Sequence, residues 1–123
     1  MKHKYVYIAG PYTGGDVAVN VRRAMEAGDA VEATGYVAHI PHLCHFRHLH
    51  REQPYSHWMK LDLAWLEKCD VLVRLPGESP GADNEVAYAD KRGIPVLRIT
   101  ESERNDPDDL WVSLLADLPL RGM

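Results

Sequence analysis

The stretch Pro76-Gly77-Glu78-Ser79-Pro80-Gly81-Ala82-Asp83-Asn84-Glu85 holds the most suggestive chemistry in the chain. A Gly/Ser turn entering a helix leaves backbone N–H groups unpaired at the positive end of the helix dipole, which suits a phosphate. Ser79 is placed to supply a hydroxyl, and Gly81 a backbone that a ligand can approach closely. With a helix read over Asp83–Arg92, Glu85 falls in its first turn, where the dipole favours the ionised carboxylate. An ionised carboxylate near a sugar can attack the anomeric carbon and trap the glycosyl group covalently. The plainer role of Asp83 and Glu85 is to complement the helix N-terminus, and this segment alone favours it.

Asp62 is a second carboxylate of interest. It lies in an expected helix over Trp58–Lys68, with Trp58 and Leu66 four residues to either side and no basic partner at either position. On a partly apolar face its pKa would rise, fitting it to act as an acid or base; facing water it would do neither. Histidines cluster at 39, 42, 45, 48 and 50, with Cys44 among them and His57 beyond. Spacings of three can bring metal ligands to one face, but neither a His-Glu-x-x-His pattern nor a paired Cys-x-x-Cys is present. A polar lid, base recognition or plain solvent exposure is the preferred role, and no metal site is expected. Cys44 beside His45 suggests a thiolate nucleophile, yet nothing supplies a third, orienting group. Tyr5, Tyr7, Tyr12 and Tyr36 suit core or site, with Tyr7 and Tyr12 distinguished by standing near a strand end.

The elements that would position these residues alternate strand with helix. Residues 4–9 are β-branched and aromatic and stop at Gly10-Pro11. From Asp16 to Thr34, Val17, Val21, Ala24, Met25, Gly28 and Val31 recur at helical spacing, and Gly35 stands where a helix end commonly needs a left-handed residue. Strands are expected at Tyr36–Ile40, Asp70–Leu75 and Ile94–Ile99, and a final helix at Asp109–Leu118. Residues 41–56 form a polar, histidine-rich connection, long enough to be a lid or binding loop. Such alternation calls for right-handed crossovers and a parallel sheet, with ligands at the carboxyl ends of the strands. Gly10, Pro11, Tyr12, His42, Ser79, Gly81 and Asn84 occupy such ends or the turns beyond them, and are the candidate substrate contacts.

Composition limits the function classes. A chain of 123 residues has room for one domain, with a core of four or five strands and covering helices. The 46% hydrophobic and 26% charged residues are those of an ordinary soluble chain. A net charge of −4 argues against a nucleic-acid polymer as partner, though not against a mononucleotide. No stretch offers the ~18 uncharged apolar residues of a membrane span. The basic start, Met1 to Lys4, leads into a strand and not a signal peptide. Cys44 and Cys69 read as free thiols in a reducing cytoplasm.

Three pieces together resemble the nucleoside 2-deoxyribosyltransferase-like family. They are Tyr7-Ile8-Ala9-Gly10-Pro11-Tyr12; Asp62-Leu63-Ala64-Trp65-Leu66-Glu67-Lys68-Cys69-Asp70; and Ser79 through Glu85, followed by Ala89 and Gly93. They come in the family's order and span most of residues 5–97. The resemblance implies a Rossmann/flavodoxin-like three-layer α/β fold with a four- to five-stranded parallel sheet. It implies Glu85 as nucleophile, Tyr7 as its hydrogen-bond partner, and Asp62 contacting sugar or base and assisting leaving-group protonation. No cofactor and no metal are implied. A homodimer or higher homo-oligomer is, with a neighbour completing each site; Ser102 is the candidate for such a shared group.

One departure bears on substrate. The residue six before the nucleophile is typically aspartate in the transferases proper, and here it is Ser79, more like relatives that hydrolyse nucleoside 5′-monophosphates. A hydroxyl and helix N–H groups accept a phosphate where an extra carboxylate would repel it. Arg22, Arg23 and Arg47 are further candidate phosphate partners. The expected activity is hydrolysis of the N-glycosidic bond of a nucleoside or its 5′-monophosphate. Base exchange by a transferase is the first alternative, and a nucleotide sensor without chemistry the second. A preference for 2′-deoxy sugars would follow if Tyr7 or nearby backbone crowds the 2′ position.

Overall fold

Strand β1 (Tyr5–Ala9) sends Val6 and Ile8 to one side of a sheet and Tyr7 and Ala9 to the other, and all four are fully buried. A strand apolar on both faces has to be central in a sheet covered on both sides. That is its place: four parallel strands run in the order β2-β1-β3-β4, with β2 at Val37–His39, β3 at Val71–Arg74 and β4 at Val96–Arg98. The structure, a computed structural model, describes residues 4–109 and residue 111.

Helix α1 (Val17–Ala33) covers the face of Val6 and Ile8. Asp16 caps its start by accepting from Val19 N–H at 3.2 Å, and Ala24, Ala27, Gly28 and Val31 form the buried stripe. Gly28 lets the Ile40 side chain pack close to α1, since a Cβ there would stand 2.4 Å from Ile40 Cδ1. Gly35 has φ +95°, the left-handed conformation its sequence position calls for. The opposite face is covered by α3 (Tyr55–Glu67) and α4 (Pro80–Arg92), which pack Leu66, Ala82, Val86 and Ala89 against Tyr7, Ala9 and Leu72. The expected three-layer α/β fold with a four-stranded parallel sheet is thus present.

Two segments differ from expectation. Residues 41–56 are not an open loop. A 3₁₀ helix at Pro41–Cys44 and α2 at His45–His50 occupy most of them, held by local backbone bonds that the polar composition conceals. Helix α4 begins three residues before the expected Asp83. Ser79 caps it by accepting from Ala82 N–H at 3.1 Å, and Pro80 takes the first helical position, where its missing N–H costs nothing. A short α5 (Glu101–Arg104), closed by a reciprocal Thr100–Glu103 capping box, follows β4. The helix expected over Asp109–Leu118 lies, apart from Asp109 and Trp111, outside the described residues. Among the described residues no helix is long and apolar enough to cross a membrane.

Candidate active site

The strand order reverses direction between β1 and β3, so their outgoing loops diverge and leave a crevice at the carboxyl end of the sheet. The crevice is a cleft of about 980 Å³. Of the expected site residues, Gly10, Pro11, Tyr12, His42, Asp62, Ser79, Gly81, Asn84 and Glu85 all line it. Tyr7 does not. It is fully buried, with its hydroxyl against Glu85.

Glu85 stands on the buried stripe of α4 with Ala82, Val86 and Ala89. With the helix starting at Pro80, it belongs to the second turn, and the expected stabilisation of its anion by the first-turn dipole does not apply. Burial governs instead. It lifts the Glu85 carboxyl to about 7, with the Asp62 carboxylate pushing the same way; a hydrogen bond from Tyr7 and the charge of Arg74 pull against them. The Tyr7 hydroxyl donates to Glu85 Oε2. Tyr7's own pKa is raised far above the ordinary phenol value, first by burial and then by Glu85 and Asp62, so the proton stays on the phenol.

Asp62 lies on α3, and burial alone lifts its carboxyl to about 6. Its Oδ1 is buried without a hydrogen-bond partner among the described residues. Tyr55, one turn from Met59 at the start of the same helix, has its pKa raised by burial and then by both carboxylates. A Cβ at Gly81 would stand 2.9 Å from the Tyr55 hydroxyl, so the glycine gives this ring its place over the cleft.

The histidines separate into different roles. His42 is buried, and its Nε2 donates to the Pro11 carbonyl at 3.0 Å; burial lowers its pKa, and it acts on the β1 loop more than on open cleft space. His45 Nδ1 bonds the Tyr12 hydroxyl, and Trp58 Nε1 donates to His48 Nδ1 at 2.9 Å. These two pairs, Tyr12 with His45 and His48 with Trp58, form the aromatic wall of the cleft, which all four residues line. His39 stacks on Trp65 with centroids 4.8 Å apart. Among the described residues no group of three or more His, Cys, Asp or Glu side chains is arranged to hold a metal ion. The suggested Cys44–His45 pair is not made: His45 is engaged with Tyr12, and burial, then Asp62, raises the Cys44 thiol.

Among the arginines, Arg23 lines the cleft, while Arg47 lies over the Trp58 ring, 5.5 Å from its centroid, and Arg22 is exposed. Ser102 is exposed, its hydroxyl 3.2 Å from that of Thr100; its neighbours Glu101 and Arg104 reach the cleft. Residues not singled out by sequence are Tyr55, Trp58, Met59, Arg74 and Arg104. Arg74 was the one with a signal, because a charge at the end of the apolar run Val71-Leu72-Val73 must have a built partner.

Fold and cleft together define an α/β protein of the Rossmann-like class with two carboxyl groups facing a crevice at the sheet's switch point. The chain belongs to the family described as a domain of unknown function, DUF4406, whose family model matches residues 4–98. In structure it is similar to a 2-deoxyribosyltransferase from the psychrotolerant bacterium Bacillus psychrosaccharolyticus. The TM-score is 0.59 at 16% sequence identity, covering 78% of this chain and 72% of that one, a likeness of fold. A comparison with curated proteins gives no match.

Proposed function

We propose that this chain breaks the N-glycosidic bond of a nucleoside 5′-monophosphate or nucleoside through a covalent glycosyl–Glu85 intermediate. The observation that carries the reading is the buried Glu85 carboxylate, hydrogen-bonded from behind by Tyr7 and sharing its cleft with Asp62. The similar fold belongs to a protein described as a 2-deoxyribosyltransferase, which supports the same bond as the target.

In the first step Glu85 Oε forms a bond to C1′ while the C1′–N bond breaks and its electron pair leaves with the base. Asp62, kept protonated more readily than an ordinary aspartate, donates a proton to that base. In the second step water attacks C1′, Asp62 takes its proton, and Glu85 leaves as a carboxylate. The charge that develops on the sugar in both steps is oxocarbenium-like, which a nearby carboxylate stabilises. The aromatic wall offers faces for the base to stack on.

The 5′-phosphate would sit at the start of α4. Ser79 Oγ accepts from Ala82 N–H and keeps its own proton to donate, and Arg23 lines the same cleft. The reading includes a cytoplasmic location and a homo-oligomer, the exposed Leu43, Phe46 and Leu49 supporting the second.

The test is chromatography of a panel of nucleosides and their 5′-monophosphates incubated with the protein, with and without a second free base. Release of base from monophosphates without an acceptor supports the hydrolase. Release that needs the acceptor, with the new nucleoside formed, assigns base exchange. No release under either condition contradicts the proposal and favours a nucleotide sensor.

A further inference from the structure

Arg74 ends β3 on the side of the sheet that carries Tyr7 and Leu72, and its side chain is only 8% exposed. A buried guanidinium is costly unless partners are built for it. Here Nη1 donates to the Leu75 carbonyl, and Nη2 donates to the Gly77 carbonyl and to Asp83 Oδ1, each at 3.0 Å. The two carbonyls belong to the turn between β3 and α4, and Asp83 to the first turn of α4. Leu75 N–H in turn donates to the Ala9 carbonyl at 2.7 Å, and Gly77 lies against the Pro11 ring. One side chain thereby fixes the loop that carries Ser79 and, through Leu75 and Gly77, ties it to the loop leaving β1. A lysine, with a point charge, cannot reproduce that fork.

The charge has a second consequence. Its carboxylate partner, Asp83, is 65% exposed, so water screens Asp83 far more than it screens Arg74. Positive charge is left over on the interior side, and Arg74 Nε is buried with no partner among the described residues. Asp83, the carboxylate that Arg74 grips, stands two residues before Glu85 on α4, and Arg74 lies on the sheet face that carries Tyr7, whose hydroxyl donates to Glu85. Tyr55 and Asp62 of α3 line the same cleft as Glu85, and of these groups Arg74 bears the positive charge.

We propose that Arg74 is the positioning residue of this cleft, fixing the β3–α4 turn and supplying the buried positive charge toward which Glu85 ionises. The inference rests on Glu85 as the working carboxylate of the proposed function. Arg74 opposes the burial and the Asp62 charge that hold the Glu85 proton in place.

The test is an NMR titration of protein labelled with ¹³C at the glutamate carboxyls, the Glu85 signal being assigned by its loss in Glu85→Gln. Wild type, Asp83→Asn, Arg74→Lys and Arg74→Met are compared. Removing the exposed neutraliser in Asp83→Asn lowers the Glu85 midpoint. Arg74→Lys leaves it near wild type, and Arg74→Met raises it by about one unit. In the base-release assay Arg74→Lys lowers kcat without moving either limb of the pH profile, because the charge survives while the fork is lost. Equal midpoints in the Lys and Met variants overturn the electrostatic role. Should Arg74→Met fail to fold, an Asp83→Asn midpoint unchanged or raised overturns it equally. The titration needs no turnover, so a wild type that releases no base removes the glycosidase reading and leaves this one to be judged on its own.

Discussion

Tyr7 and Glu85 lie 78 residues apart in sequence and share a buried hydrogen bond in which the phenol donates to the carboxylate. Tyr7 is held in β1 between Leu72 and His39 of the neighbouring strands, and Glu85 in α4 packed above. The bond therefore joins sheet to helix directly beneath the cleft. It fixes which way the carboxylate points and favours its ionised form against burial.

Removing that bond should act on catalysis rather than on substrate affinity. Tyr7→Phe is expected to lower kcat by about 10- to 100-fold, the range for a lost hydrogen bond to a charged group, with KM little changed. It should also move the alkaline limb of the pH profile upward, because the Tyr7 bond lowers the Glu85 pKa, the higher of the two carboxyls. Steady-state kinetics against pH checks both; a change in KM alone would place Tyr7 in substrate binding instead.

The two raised carboxyls set a bell-shaped pH dependence. Glu85 must be ionised to attack and Asp62 protonated to release the base, and burial brings them to about 7 and about 6 respectively. They face one cleft and titrate as a pair, so the limbs belong to both. Activity should peak between about pH 6 and pH 7. Below that range the nucleophile is protonated, and above it the acid is lost. A kcat/KM still rising at pH 9 would remove Asp62 as the acid.

Glu85 should also cost the fold stability. Its pKa is raised from 4.5 to about 7, so the unfolded chain gives up that proton at lower pH than the native one. Native stability is then lost as pH rises from about 4.5 through about 7. Glu85→Gln removes the ionisation and should be more stable than wild type at pH 8 by up to about 3 kcal/mol, with the difference fading toward pH 4. Urea denaturation at the two pH values gives the comparison. Equal stabilities at pH 8 would mean that the native carboxylate is not strained by burial.

Gly77 should tolerate no side chain. Its φ of +114° is one that L residues rarely adopt, and a Cβ there would meet Pro11 Cγ at 2.7 Å. Gly77→Ala is expected to lose about 1–3 kcal/mol and to weaken activity by moving the turn held by Arg74. Thermal melts beside base-release rates would show both losses, while a variant like wild type in each would mean the turn relaxes freely.

Much of the fold was legible because β1, α1, β3 and α4 obey simple rules: short apolar runs, helical spacing, and Gly or Pro stops. Glu85 was legible by type but its environment was not. The Ser79 cap and Pro80 at the first helical position mark the true start of α4, and starting at Asp83 moved Glu85 from a buried stripe to an apparent dipole-stabilised end. The sequence could not reveal that Tyr7 is buried beneath the cleft rather than lining it, since a period-two strand buried on both faces gives no inside or outside. Nor could it show the helices across residues 41–50, whose local bonds leave no apolar periodicity of useful length. Arg74 carries a signal as a charge ending an apolar run, but two of its three partners are backbone carbonyls, which have no sequence signature.

The most direct measurement is base release from the panel of nucleosides and 5′-monophosphates by wild type beside Glu85→Gln. The prediction is release by wild type, favouring the monophosphates, and a fall of at least about 10³-fold in the variant, as expected when a nucleophile is removed. Release that persists undiminished in Glu85→Gln, or no release by the folded wild type with or without an acceptor base, would contradict it.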